Sequence, residues 1–172
     1  YREYWGSIRV QPASNSGKLA VHNHVLLEKY LRSIAEVDYD WAQPNRTAAY
    51  ALEAVKAQTV AARSYAVAKN AVLYDNQNDQ CYVGYTGRSA PGATPFEALY
   101  PGIPAAAEAT EGQVLMYNGK PATTYYSAHS GGYTTTSAWS GTYPPYIVSK
   151  ADPWSLGAPP TSMSSGQVQV AE

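Results

Sequence analysis

The run from Ala48 to about Leu73 constrains the fold of this chain more than any other segment. Ten alanines lie between Thr47 and Val72. Leu52, Val55, Val60, Tyr65, Val67 and Val72 spread around the helical circumference instead of keeping to one stripe. That pattern predicts a helix buried on most sides, with small side chains that let neighbours approach closely. Asn45 or Thr47 is its candidate N-cap, and Glu53, Lys56 and Arg63 share the remaining polar strip.

The partners of such a helix are predicted from shorter patterns. Trp5–Val10 and Lys18–Val21 read as strands on either side of a Pro-Ala-Ser-Asn-Ser-Gly turn cluster. Leu26–Ile34 has helical spacing through Leu27, Tyr30, Leu31 and Ile34, with Glu28 in the early turn and Glu36 at the end. Gln80–Tyr85 is a further strand, Thr86–Pro104 a loop rich in proline and glycine, and Ala105–Thr110 a short helix. Val114–Tyr117 and Pro121–Tyr126 flank Asn118-Gly119, a dipeptide suited to the positive φ angles of a type I′ hairpin turn. Together these predict an α+β fold, a single domain over 1–156 with a long buried alanine-rich helix packed against antiparallel hairpins that form a groove. A linker or C-terminal tail is expected over 157–172.

Composition narrows the function. A chain of 172 residues with 45% hydrophobic content is long enough for one real core. Twelve Lys+Arg against thirteen Asp+Glu, with no basic run, leave no electrostatic footprint for nucleic acid or an anionic membrane surface. The single Cys81 excludes an internal disulfide and a cysteine-rich zinc framework. No stretch approaches the roughly 20 apolar residues of a membrane span. Because the chain begins at Tyr1, it is expected to be a mature or excised piece whose signal or anchor has been removed. Sixteen Tyr and four Trp against one Phe mean that most aromatic rings carry a polar handle, suited to half-wet surfaces such as sugar grooves; strand propensity favours Tyr as well.

Glu36 is the candidate for chemistry. It stands among Ile34, Ala35, Val37 and Trp41, where a carboxyl group is poorly solvated and keeps its proton toward neutrality, as a general acid requires. The alternative is an exposed residue at a helix end, paired with Arg32 four positions back.

Four stretches in fixed order then carry a resemblance: Val21–Val37, Leu52–Ala66, Ala107–Leu115 and Tyr126–Thr134. The chain resembles the stage II sporulation protein D/LytB family of bacterial cell-wall proteins over roughly residues 18 to 154. The resemblance implies a lytic transglycosylase acting on peptidoglycan, an extracytoplasmic and cell-wall-facing location, and glycan strands as the partner. It makes Glu36, five residues before Trp41, the catalytic acid. Two departures stand out: Asp38 replaces the family's usual proline, and the spacing from Tyr30 to Glu36 is two residues shorter than the common form. Asp38 is therefore a candidate for tuning, since a second carboxylate near Glu36 raises its pKa by like-charge repulsion. Some members hold zinc through Cys and His just after the long helix. Here that stretch reads Asn78-Asp-Gln-Cys-Tyr-Val-Gly84, Cys81 falls beyond the ligand position, and no zinc or other cofactor is expected.

In such an enzyme one carboxyl protonates the glycosidic oxygen and the muramyl C6 hydroxyl attacks internally, leaving a 1,6-anhydromuramyl end. A hydrolase would instead need two carboxylates at a defined separation. Donors to hold the glycan are expected in Tyr125–Tyr133, where Ser127, His129 and Ser130 precede or adjoin the pair Gly131-Gly132; the family commonly has His at the place of Ser127, and His129 takes over part of that role. Trp41, Tyr85, Tyr126, Trp139 and Tyr143 are candidate stacking faces. Lys56 and Arg63, seven apart on one helical face, are candidates for the lactyl carboxylates of muramic acid, or for a structural strip with Glu53.

Three competing functions follow. The LytB name implies a non-catalytic enhancer that binds peptidoglycan or a cell-wall amidase. A Ser–His hydrolase built on Ser127 or Ser130 with His129 lacks a Gly-x-Ser-x-Gly elbow. A calcium loop at Glu36-x-Asp38-x-Asp40 lacks the glycine and distal glutamate of an EF-hand.

Overall fold

A computed structural model describes residues 2–14, 17–37, 42, 49–87, 91–127, 130–136 and 143–155. Their fold is α+β and forms two compact units, Tyr1–Thr124 and Tyr125–Glu172. Asn45, Thr47 and the tail over 157–172 lie outside the described residues.

The first unit opens with strands β1 (Ser7–Pro12) and β2 (Leu19–His24), paired antiparallel with Val10 opposite Val21. β1 lies two residues further along than its expected range, and β2 runs on to His24, because the ladder pairs Ser7–Pro12 with Leu19–His24. Gly6 begins the turn into β1 at φ 78°, where a Cβ would stand 2.0 Å from the His24 carbonyl oxygen. Helix α1 covers only Leu27–Leu31. Ser33 and Ile34 leave it to form an antiparallel bridge between Ile34 and Tyr82, so Glu36 stands beyond the helix.

Helix α2 (Ala49–Lys69) is the predicted alanine-rich helix. It stops four residues short of Leu73 because Asn70 adopts φ 44°, a left-handed cap of the kind that ends helices. Ala51, Val55, Thr59, Ala62 and Arg63 form its buried stripe, while Leu52, Glu53, Ala57 and Lys69 face solvent. Its main neighbour is helical: α4 (Gly102–Ala109) lies along it through Ile103, Ala106 and Ala107. Close approach depends on small residues, and a Cβ on Gly102 would come within 2.8 Å of the Ala42 Cα. Pro104 stands in the first turn of α4, where its missing N–H has no partner to lose. The expected loop before it also contains a short helix, α3 (Phe96–Leu99), which buries Phe96.

Asn118-Gly119 turns the small hairpin of β3 (Met116–Tyr117) and β4 (Lys120–Pro121), with φ angles of 48° and 74° as a type I′ turn demands. The Leu115 amide donates to Ser64 Oγ at 2.8 Å, and Thr124 Oγ1 donates to the Ala61 carbonyl at 2.6 Å, which ties this hairpin to α2.

Two apolar clusters fill the unit. One gathers Tyr30, Leu31, Ile34, Ala62, Tyr82 and Ala107. The other joins Ala42, Val55, Phe96, Ile103 and Ala106, with Ala35 and Val37 packed against it. Arg63 holds the helices together. It is 1% exposed, and all five of its N–H donors are used: two grip Glu28 at 2.7 and 2.8 Å, and the rest reach Thr110 Oγ1 and the carbonyls of Ala107 and Gln113.

The second unit is held by an antiparallel bridge between Tyr133 and Ala151. Its backbone bonds run from the Thr134 amide to the Lys150 carbonyl and from the Asp152 amide to the Gly132 carbonyl, at 2.8 and 2.7 Å. A 3-10 turn at Pro153–Ser155 follows.

Candidate acid site

Residues 33–37 and 80–83 run side by side. The Ala35 amide donates to the Cys81 carbonyl at 2.9 Å, and the Val83 amide donates to the Ser33 carbonyl at 3.0 Å. This pairing brings the Cys81 amide to Glu36, where it donates to Oε1 at 2.5 Å. Ile34 and Tyr82 point into the first cluster, while Ala35 and Val37 pack on the second, so the acid is mounted where the two clusters meet.

The electrostatics suit an acid that holds its proton. Burial pushes the Glu36 carboxyl above its ordinary value, and the hydrogen bonds from the Cys81 amide and thiol only partly offset this. Among the described residues no Lys or Arg forms a salt bridge with Glu36. Arg32, the expected helix-end partner, instead bonds Glu97 Oε2 at 2.7 Å. The reason is local: α1 ends at Leu31, and Arg32 and Glu36 no longer share one helical face.

Cys81 is half-buried and its thiol is pushed up to about 11, first by burial and then by the neighbouring Glu36 carboxyl. A metal ligand must be a thiolate, so this cysteine is a poor donor for zinc. Among the described residues no three His, Cys, Asp or Glu side chains gather where they would hold a metal.

The other expected site residues are scattered. Arg63 is spent inside the fold, as described, and has no donor left for a muramyl carboxylate. Lys56 bonds Glu53 at 2.6 Å on the surface of α2. Tyr85 stacks edge-on against Trp5, with ring centroids 4.5 Å apart. In the second unit Tyr126 is half-buried and Ser127 exposed. Ser130 Oγ donates to Asp152 Oδ2 at 2.7 Å and accepts from the Gly132 amide at 3.2 Å, which fixes the Gly131-Gly132 turn at φ 70° and 107°. Tyr143 packs edge-on against Tyr125, with centroids 6.1 Å apart. Asp38, Asp40, Trp41, His129 and Trp139 lie outside the described residues.

A groove of about 940 Å³ opens on the Tyr82 side of the 80–83 segment, lined among others by Tyr4, His22, His24, Tyr74 and Tyr82. Glu36 does not line it, nor do Lys56, Arg63 or Tyr85. Sequence reading missed Gln80, Cys81 and Asp152 as partners of the candidate site. Gln80 and Asp152 are unremarkable in spacing, and Cys81 lies 45 positions from Glu36.

Comparison with known proteins agrees with the first unit's motifs. The stage II sporulation protein family, SpoIID, matches residues 15–117. This chain belongs to the SpoIID family. It is 40% identical to the amidase enhancer of Bacillus subtilis over 108 residues, covering 61% of this chain and 14% of that protein. An uncharacterised protein of Brachyspira hyodysenteriae is 31% identical over 142 residues, 78% of this chain and 33% of the relative. Stage II sporulation protein D of Bacillus subtilis is 29% identical over 120 residues, 62% of this chain and 35% of the relative. The chain thus spans about a third or less of the length of each relative it matches. Among the described residues no helix is long and apolar enough to cross a membrane.

Proposed function

We propose that the chain is a peptidoglycan lytic transglycosylase with Glu36 as its single acid and base. The observation that carries this reading is a half-buried carboxyl held by neutral donors, with no cation against it among the described residues. The Cys81 amide occupies Oε1, so the transferable proton belongs on Oε2. Glu36 gives that proton to the oxygen linking muramic acid to the next glucosamine, and the C1–O bond breaks. The muramyl C6 hydroxyl closes on C1 and returns its proton to the ionised Glu36, which regenerates the acid without consuming water. The reading assigns no cofactor.

In this reading Lys56, Trp41, Tyr85, Tyr126, Ser127, His129, Ser130 and Tyr143 are glycan contacts, and Asp38 tunes the acid. Arg63 contributes through the fold alone. The site of action is extracytoplasmic, on the cell wall.

Similarity to a protein named amidase enhancer supports a second reading, in which the chain binds peptidoglycan or a cell-wall amidase and stimulates that enzyme. One assay separates the two. The chain is incubated with intact and with amidase-treated peptidoglycan, and anhydromuramyl ends are sought by mass spectrometry. Such ends, lost in Glu36→Gln, support the transglycosylase. Amidase stimulation without them on either substrate supports the enhancer.

A further inference from the structure

Among the described residues Gln80 is the largest fully buried polar side chain without a charge, at 0% exposure. An amide in that position is costly unless both of its ends are bonded. Its Oε1 accepts from the Tyr30 hydroxyl of α1 at 2.8 Å, and its Nε2 donates to the Ala62 carbonyl of α2 at 3.2 Å. The side chain therefore spans two helices and has one place to sit.

The backbone on either side of Gln80 is equally constrained. The Tyr82 amide donates to the Gln80 carbonyl at 2.8 Å, a two-residue closure that makes a tight turn centred on Cys81. That turn faces the Cys81 amide outward, and the amide meets Glu36 Oε1 at 2.5 Å. On the other flank, the Cys81 carbonyl receives the Ala35 amide. Gln80 is thus the fixed end of the arm that holds the acid.

We propose that Gln80 is the positioning residue of Glu36: its carboxamide anchors the Gln80–Tyr82 turn to α1 and α2 and so aims the Cys81 N–H at Oε1. The proposal rests on reading Glu36 as the acid. It makes the acid's geometry depend on a side chain that touches neither Glu36 nor the glycan. The amide on Oε1 selects which oxygen delivers the proton, and losing it frees the carboxyl to rotate while it stays buried.

Two variants test this. Gln80→Leu removes both anchors at similar volume. Tyr30→Phe removes one hydroxyl and leaves the ring in the core, which keeps the test available should Gln80→Leu fail to fold. Titration of the Glu36 carboxyl carbon by NMR, assigned by its absence in Glu36→Gln, reads the positioning directly. Among the described residues the Cys81 thiol is the titratable group facing that carboxyl. Both variants are expected to move the Glu36 titration further up, Gln80→Leu the more. The rate of anhydromuramyl formation should fall by about a hundredfold in Gln80→Leu and less in Tyr30→Phe, with KM unchanged. Variants that melt earlier but leave the Glu36 titration in place overturn the proposal. If the parent chain forms no anhydromuramyl ends while the titration still moves, the transglycosylase reading fails and the positioning role stands.

Discussion

Two glutamates lie on the chain around α1, eight residues apart, and the fold treats them in opposite ways. Glu28 meets a buried guanidinium with both oxygens, at 2.7 and 2.8 Å. Among the described residues, Glu36 meets only the amide and thiol of Cys81. The first arrangement joins three helices through an arginine whose every donor is engaged. The second half-buries a carboxyl with no compensating charge among the described residues, which favours the neutral form. A carboxylate paired with a buried arginine is architecture. An unpaired one at the edge of the core is a store of one proton.

The comparison breaks most visibly at Glu36 itself. Glu36→Gln retains an oxygen to accept the Cys81 amide and removes the proton, so anhydromuramyl formation should fall by about a thousandfold or more while the melting temperature changes little. A mass-spectrometric time course on purified peptidoglycan reads the first effect and calorimetry the second. Retained activity in this variant, with loss in Asp38→Asn or Asp40→Asn, would move the acid elsewhere.

Arg63→Met attacks the other member of the pair. It strands Glu28 and leaves three further acceptors without their donor, and should cost about 3 kcal/mol of stability in denaturant titration. Loss of under about 1 kcal/mol would mean that the Arg63 cluster is not a structural centre of the fold.

The pH dependence of stability sharpens the contrast further. The Glu36 carboxyl titrates above its ordinary 4.5 in the folded state, so between that value and the raised one the native chain binds more protons than the unfolded chain. Its stabilising contribution is complete below 4.5 and is lost as pH rises through the folded value. The parent chain should therefore lose stability relative to Glu36→Gln as pH increases across that window, measured as the difference in denaturation midpoints. A difference that grows in the opposite direction would mean that an unseen cation pairs with the acid.

The smallest effect is expected at Lys56, whose pair with Glu53 lies on the surface of α2. Lys56→Ala should change unfolding free energy by no more than about 0.5 kcal/mol. A weaker grip on muramyl-containing glycan in a pull-down, at unchanged stability, would mark it as a substrate contact.

Local signals in the sequence were good guides where the cause is local. The alanine run specifies α2, and Asn118-Gly119 specifies its turn, because propensity and positive φ act over a few residues. The early end of α2 depends on the single left-handed Asn70, and the short α1 on a bridge to Tyr82; neither leaves a periodic trace. Gln80–Tyr85 was legible as extended chain, yet it forms one bridge and a tight turn instead of a ladder. For the candidate site, Glu36 was singled out by its apolar company and by the family resemblance. Its actual partner was not, since nothing at position 81 signals an amide aimed at residue 36. Arg63 misled for a physical reason: seven-residue spacing places it on a face with Lys56, and only the packing of α4 turns that position inward.

The Ile34–Tyr82 bridge also bears on how slowly this part of the molecule gives up its hydrogens. Ile34 and Tyr82 are both core residues, each 5% exposed. Parting the bridge therefore means uncovering the cluster they share with α2. The amide hydrogens of Ala35, Cys81 and Val83 should exchange with solvent on the timescale of the middle of α2, although they belong to segments without regular secondary structure. Slow exchange in an apparent loop would be the solution signature of a rigidly held acid.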